Sequence, residues 1–326
     1  MREAQLPAPQ PHACAYLSRE LGEPVAGTAA TQSAWLLVEQ PGPWGRVAAR
    51  ESRLDPELGA ELDGRTARTG VRLCLIRRPT DGHDHDPPRR RWFAASTHPE
   101  RTWLATGEIA DPAELLRIDF AALDAGDRNA VAGLEHTFLD TPILGICSNG
   151  KRDACCATLG RRAVVSADAL DAAACAAVGG PPTVWEITHL GGHKFAPTGV
   201  LLPSGYLYGR LDAALATRAL AEARRGRVLP DGNRGRSTWQ RPGQAAELAV
   251  RADLNEWATS AVLVTAVEKT AGEPEPAWTV IVEHEDGREY EVSVKGAHAP
   301  VARPESCGKT EANPLELRVD VIDKVG

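Results

Sequence analysis

The sequence predicts an α/β fold made of two copies of one unit in tandem, followed by a small all-β appendage. Three observations carry this reading. Short apolar runs such as Ala34-Trp-Leu-Leu-Val38 and Pro142-Ile-Leu-Gly-Ile146 are each followed by a glycine-containing loop, a helical pattern and further strands. The order that begins at Ser33 returns from Thr141 when Trp35 is set against Pro142, as an internal repeat does. Past Thr259 only strand-like alternation remains. The implied division is a lead-in over 1–30, a first unit over 31–135, a second over 136–258 and a β-rich C-terminal domain over 259–326.

Taken in order, the Pro- and Ala-rich lead-in carries one short helix. A strand at 34–38 then leads through the turn-rich Gln40-Pro-Gly-Pro-Trp-Gly45 into a mostly helical stretch over 47–62. Strands follow at 71–76, 91–95 and 101–106, and Asp111 caps a helix that opens with Pro112. In the second unit the strand ending at Ile146 feeds a loop over 147–153 and a helix over 154–164. A strand over 183–188 comes next, then a strand pair at 199–202 and 205–208 joined by Pro203-Ser-Gly, and a helix over 212–225. In the last region, runs at 261–267, 278–282, 290–294 and 315–322 read as strands, with Asp286-Gly287 as a two-residue hairpin turn.

A chain of 326 residues, 43% apolar and 25% charged, is an ordinary globular composition with room for several cores. A net charge of −7 argues against wholesale nucleic-acid binding, and no apolar run approaches the roughly 20 residues that cross a bilayer. The first residues lack the apolar core of a secretory signal, so a cytoplasmic location is expected. Seven cysteines, an odd number and unevenly spread, point in a reducing compartment to ligands or reactive thiols rather than a disulfide framework.

The chemistry concentrates in Cys147-Ser-Asn-Gly-Lys-Arg-Asp-Ala-Cys155-Cys156 and His189-Leu-Gly-Gly-His193. Soft thiolates and imidazoles in one segment are what a chain supplies to hold a metal or an iron–sulfur centre. Cys147 ends one strand, Cys155 and Cys156 open a helix, and His189 ends a second strand, so these side chains can meet. The candidate ligands are Cys147, Cys156, His189 and His193. Gly191-Gly192 makes a helix between the histidines costly and lets the backbone turn tightly beside an inorganic centre. A [2Fe-2S] cluster needs four protein ligands, and exchanging two thiolates for imidazoles raises its potential and admits coupling of reduction to protonation. Two other readings use the same residues. One is a thiol–disulfide enzyme in which Cys147 cycles with Cys155 or Cys156, which leaves both histidines idle. The other is a structural Cys2His2 zinc site, whose usual close cysteine spacing is missing.

At these residues the sequence resembles the sucrase/ferredoxin-like family, the thioredoxin-like ferredoxins with two histidine ligands. The resemblance is carried by Cys147-Ser-Asn-Gly-Lys-Arg-Asp-Ala-Cys-Cys156, Val184-Trp-Glu-Ile-Thr-His-Leu-Gly-Gly-His-Lys-Phe-Ala-Pro197, Leu202-Pro-Ser-Gly-Tyr-Leu-Tyr-Gly-Arg210, Arg234-Gly-Arg-Ser237 and Arg303-Pro-Glu-Ser-Cys-Gly-Lys309. It implies a thioredoxin-like α/β fold for the repeated unit, of which only the second copy carries the cysteine and histidine set. It also implies one-electron transfer through a [2Fe-2S] cluster on Cys147, Cys156, His189 and His193, the spacing fitting the second of the paired cysteines. Cys147 and Cys156 then hold one iron and the histidines the other, more exposed one. The partner implied is a reductase or small electron carrier, and the chain is an electron carrier rather than a stand-alone enzyme. No pair of acid/base carboxylates supports the sucrase half of the name.

Plainer roles stand beside these. Cys155 reads as packed or spare, Cys74 and Cys175 as small core hydrophobes, and Trp185 as core. Cys307 reads equally as a neighbour of the site or a surface thiol. Lys151, Arg152 and Lys194 either offset cluster charge, dock an acidic partner or lie in solvent. His83-Asp-His85-Asp reads as a charged loop with a weak claim to a metal, and Gly42-Pro-Trp-Gly45 as a turn packing Trp44. Arg224, Arg225, Arg227, Arg234, Arg236 and Arg241 read as a solvated face, with a weaker claim to contact an anionic redox partner or a nucleotide.

Overall fold

A computed structural model describes residues 14–79 and 87–325. His83 and His85 lie outside the described residues. The chain opens on helix α1 (Cys14–Glu20). The first half then supplies β1 (Ala34–Glu39), α2 (Ala48–Glu51), α3 (Pro56–Thr66), β2 (Val71–Arg77), β3 (Arg90–Ser96), β4 (Trp103–Ile109), α4 (Phe120–Asp124) and β5 (Thr137–Phe138). The second supplies β6 (Ile143–Cys147), α5 (Arg161–Ala176), β7 (Val184–Ile187), β8 (Gly199–Leu202), β9 (Tyr206–Tyr208), α6 (Ala213–Arg224), β10 (Asn233–Arg236) and α7 (Arg241–Leu254). The C-terminal part adds β11 (Val262–Ala271), β12 (Ala277–His284), β13 (Glu289–His298), β14 (Arg303–Pro304), β15 (Glu311–Ala312) and β16 (Leu315–Lys324).

Among the described residues β1–β10 form one mixed sheet in the order β10-β9-β8-β6-β7-β2-β1-β3-β4-β5. The order β2-β1-β3-β4 in one half is repeated as β7-β6-β8-β9 in the other. In each, the first strand lies parallel to the second and antiparallel to the third. The halves join where β2 meets β7, through Ile76 opposite Ile187 and Arg77 opposite Glu186. The strands near this join are buried on both faces, as expected of apolar runs without alternation. At the join Glu186 is fully buried and accepts from Arg77 Nε at 3.1 Å and Nη2 at 2.8 Å and from Ser148 Oγ at 2.5 Å. Burial draws the Arg77 guanidinium down to about 10, and it lies 4.1 Å from the Trp44 ring centre.

One core layer runs across both halves on a single face, from Trp35, Cys74 and Phe93 to Cys147, Cys156 and Trp185. On the opposite face, Trp92 and Leu62 centre one cluster and Leu144 and Leu220 another. The strands β11-β12-β13-β16 form a separate antiparallel sheet whose apolar face packs on α7.

Several elements differ from the sequence reading. The stretch 47–62 breaks at Ser52, and the segment after Asp111 is a short 3-10 helix with a capping box. The helix expected over 154–164 begins as a wide turn, Cys156–Gly160, and continues as α5 to Ala176. Gly160 explains the start: a Cβ there would stand 2.0 Å from the Cys147 carbonyl oxygen, so this turn rides directly on the end of β6. Helix α7 has no counterpart in the sequence reading. The arginine run divides: Arg224, Arg225, Arg227 and Arg241 are exposed, as read, whereas Arg234 and Arg236 are each 1% exposed and donate to backbone and hydroxyl oxygens.

Candidate metal centre

The register of two parallel strands brings the centre together. Cys147 pairs with Ile187 at the shared end of β6 and β7, so the chain leaving β7 reaches His189 beside Cys147. The Cys147 amide donates to Thr198 at 2.8 Å and the Ser148 amide to Ile187 at 3.2 Å, which fixes both strand ends. Asp153 then turns the loop back, its Oδ1 accepting the Cys155 amide at 2.8 Å. This places Cys156 against Cys147.

Both sulfurs are buried, each residue 1% exposed. The Cys156 thiol hydrogen-bonds to Cys147 and holds the Cys147 thiol below its ordinary range. Burial opposes this, and backbone amides of Asn149 and Leu190 add to it. Cys156 is pushed well up by the same partner and by burial. The pair therefore ionises one thiol first, and a metal must displace the second proton.

The histidines complete the group. Cys156 Sγ lies 3.6 Å from His193 Nδ1, and the rings of His189 and His193 stack at 4.4 Å with 17° between planes. Burial, then His193 and Arg72, lowers His189 to about 3. Burial also lowers His193, with Asp153 opposing. Both rings are thus neutral at neutral pH, with a nitrogen lone pair available to a metal. Asp153 Oδ2 stands 4.0 Å from His193 Nδ1, and donor atoms of Asp153, Cys156 and His193 lie within 4.8 Å of one another.

The glycine pair between the histidines has positive φ at both residues, 81° at Gly191 and 72° at Gly192. The close approach at Gly192 is to Arg234, whose Nη2 would stand 2.3 Å from a Cβ there. Arg234 Nη1 donates to the Gly191 carbonyl at 3.1 Å, while Arg72 donates to that of His189 at 2.5 Å. Two arginines therefore hold the histidine loop by its backbone. The sequence reading missed this use of Arg72 and Arg234, as well as the role of Asp153.

The histidine side faces a cavity of about 380 Å³ whose lining includes Arg46, Arg152, Arg234, Arg241 and Lys309, with Glu305 as its acid. Lys194 is buried and paired with Glu23 at 2.6 Å. Trp185 is core, edge-on to Phe93 at 5.5 Å, and Trp44 donates to Gln40 at 2.7 Å within its turn. Cys74 and Cys175 are buried. Cys155 packs away from Cys147, toward Cys14 and Cys307.

Fold and site together define a mixed α/β protein, with a separate antiparallel sheet, in which cysteine, histidine and aspartate side chains lie close enough to hold a metal ion. The chain belongs to the sucrase/ferredoxin-like family, which it matches over residues 25–235. No curated protein and no solved structure matches it significantly. No helix among the described residues is long and apolar enough to cross a membrane.

Proposed function

We propose that this chain is an electron carrier that holds a [2Fe-2S] cluster through Cys147, Cys156, His189 and His193, in the second of two thioredoxin-like units. The observation that carries the reading is that these four side chains adjoin one another in series, Cys147 to Cys156, Cys156 to His193 and His193 to His189. Two buried thiols hydrogen-bond to each other, one of them stands 3.6 Å from a neutral imidazole, and a second imidazole stacks on the first. The donor set fits such a group in number and kind, with soft sulfur on the buried side and imidazole on the cavity side. When bound, the cluster passes one electron at a time.

The residues around the ligands have definable tasks. The amides of Asn149 and Leu190 point at the Cys147 sulfur and favour its thiolate. Arg72 and Arg234 fix the histidine loop, and burial keeps both rings deprotonated. The repeated strand order supports the reading of tandem units, with the equivalent end of β1 carrying Glu39 in place of a cysteine. The partner is a reductase or small carrier with an acidic face, since the histidine side opens on a cationic cavity in a chain of net charge −7.

The test is iron and acid-labile sulfide analysis with visible and EPR spectra of anaerobically purified protein. About two irons and two sulfides per chain are expected, with a shifted EPR spectrum but retained iron in His193→Cys. A colourless protein with one zinc at these ligands, or one whose Cys147 and Cys156 cycle as a disulfide without iron, overturns the reading.

A further inference from the structure

Three cysteines that the proposed cluster does not use meet at one point. Cys14 opens α1, Cys155 lies in the turn after Asp153, and Cys307 lies between β14 and β15. Their sulfurs form a triangle, with Cys14 to Cys155 at 3.8 Å, Cys14 to Cys307 at 3.6 Å and Cys155 to Cys307 at 3.4 Å. Asp153 closes the group. Its Oδ2 lies 3.9 Å from Cys14 Sγ and accepts the Cys307 amide at 2.9 Å, and the four donor atoms lie within 4.8 Å of one another.

We infer that Cys14, Cys155, Cys307 and Asp153 form a second metal site, separate from the proposed cluster, that takes a thiophilic cation of the zinc type. Three thiolates at about 2.3 Å in a tetrahedron around one zinc stand about 3.8 Å apart. The three separations here are close to that value and close to one another. A disulfide joins two sulfurs and leaves a third over, so it accounts for one edge of the triangle and not the other two. Cys14 and Cys155 are buried and Cys307 is half-buried, so the ion would be enclosed on most sides, as structural zinc is. The site draws two distant parts of the chain, around Cys14 and Cys307, onto the turn that presents Cys156, with Asp153 shared between the two groups. Its expected effect is to hold that turn and to tie α1 and the C-terminal region to it. The inference stands whether or not the other group holds iron.

The test uses the full chain and zinc itself as the probe. After incubation with Zn²⁺ and desalting, wild type should retain about one zinc per chain, and His193→Ala should retain the same. Cys14→Ser and Cys307→Ser should each retain at least tenfold less. A measurement that needs no variant is alkylation of the wild type, in which zinc should slow modification of Cys14, Cys155 and Cys307 together by tenfold or more. Zinc lost in His193→Ala but kept in Cys307→Ser places the ion at the other group and overturns the inference. So does a disulfide among the three, or equal alkylation with and without zinc. Iron and sulfide in the same samples report on the cluster separately.

Discussion

At the scale of single residues, the four candidate ligands were legible because thiol and imidazole chemistry is rare and these residues sit close in sequence. Asp153 and the arginines were not, since their roles come from contacts that no local pattern marks. Cys14 is 139 residues from Asp153 and 293 from Cys307, so their meeting could not be read from spacing. Gly192 shows the same division. Its conformational role was visible in the glycine pair, but its neighbour, Arg234, stood in a run read as solvated. Gly192→Ala should cost about 1–2 kcal/mol for the left-handed backbone alone, and more for the contact with Arg234. Gly191→Ala meets only the Ala30 Cβ at 4.0 Å and should cost the backbone part alone. Urea denaturation of the two variants checks the difference, and equal losses would remove the role given to Arg234.

At the scale of elements, most strands were read because buried apolar runs bounded by turn residues have few other uses, while the short or polar β5, β10, β14 and β15 were not. The strand pair around Pro203-Ser-Gly and the hairpin at Asp286-Gly287 fall where expected. Helix α7 was missed although it carries signals: Pro242 in its first turn and Asn255 at positive φ just past its end. Its polar interior disguised it. Glu247 and Arg251 are fully buried and paired at 3.1 Å, and Tyr206 of β9 donates to the same carboxylate. Glu247→Ala leaves a buried guanidinium without its carboxylate and should destabilise the protein by about 3–5 kcal/mol, read as a lower midpoint in chemical denaturation. Replacing the pair together with apolar residues should cost much less. Similar losses for the single and double variants would show that the pair is not what holds α7 to the sheet.

At the scale of the whole molecule, a recurring succession of strands and helices was read in the sequence, whereas the sheet order and the join of β2 to β7 were not, because strand pairing leaves no local trace. Nor did composition show that the C-terminal region reaches back to the site. Arg303 donates to Glu23 at 3.0 Å and to Glu316 at 2.6 Å, while Glu23 also holds Lys194 at 2.6 Å and Glu305 lies 3.7 Å from that lysine. Burial works to raise the Glu23 carboxyl, but Arg303 and Lys194 bring it below its ordinary value. A carboxyl lowered in the fold stabilises above its unfolded pKa of about 4.3, and that contribution is lost as pH falls through the lower folded value. Arg303→Met should therefore cost about 3 kcal/mol near neutrality, and the gap from wild type should shrink below about pH 4. A gap that stays constant with pH would deny Glu23 this part. The cationic cavity acts at the same scale. On the proposed function, electron exchange with an acidic carrier should slow severalfold between low and physiological salt, and a rate insensitive to salt argues against that proposed docking face. The thiol triangle also sets an order of events during synthesis. Cys147 to His193 leave the ribosome well before Cys307 does, so the nascent chain displays its first ligand set while the second still lacks a corner. On the proposed assignments, loading of the cluster would begin on an unfinished polypeptide, whereas closure of the inferred second site would wait for Cys307 to emerge.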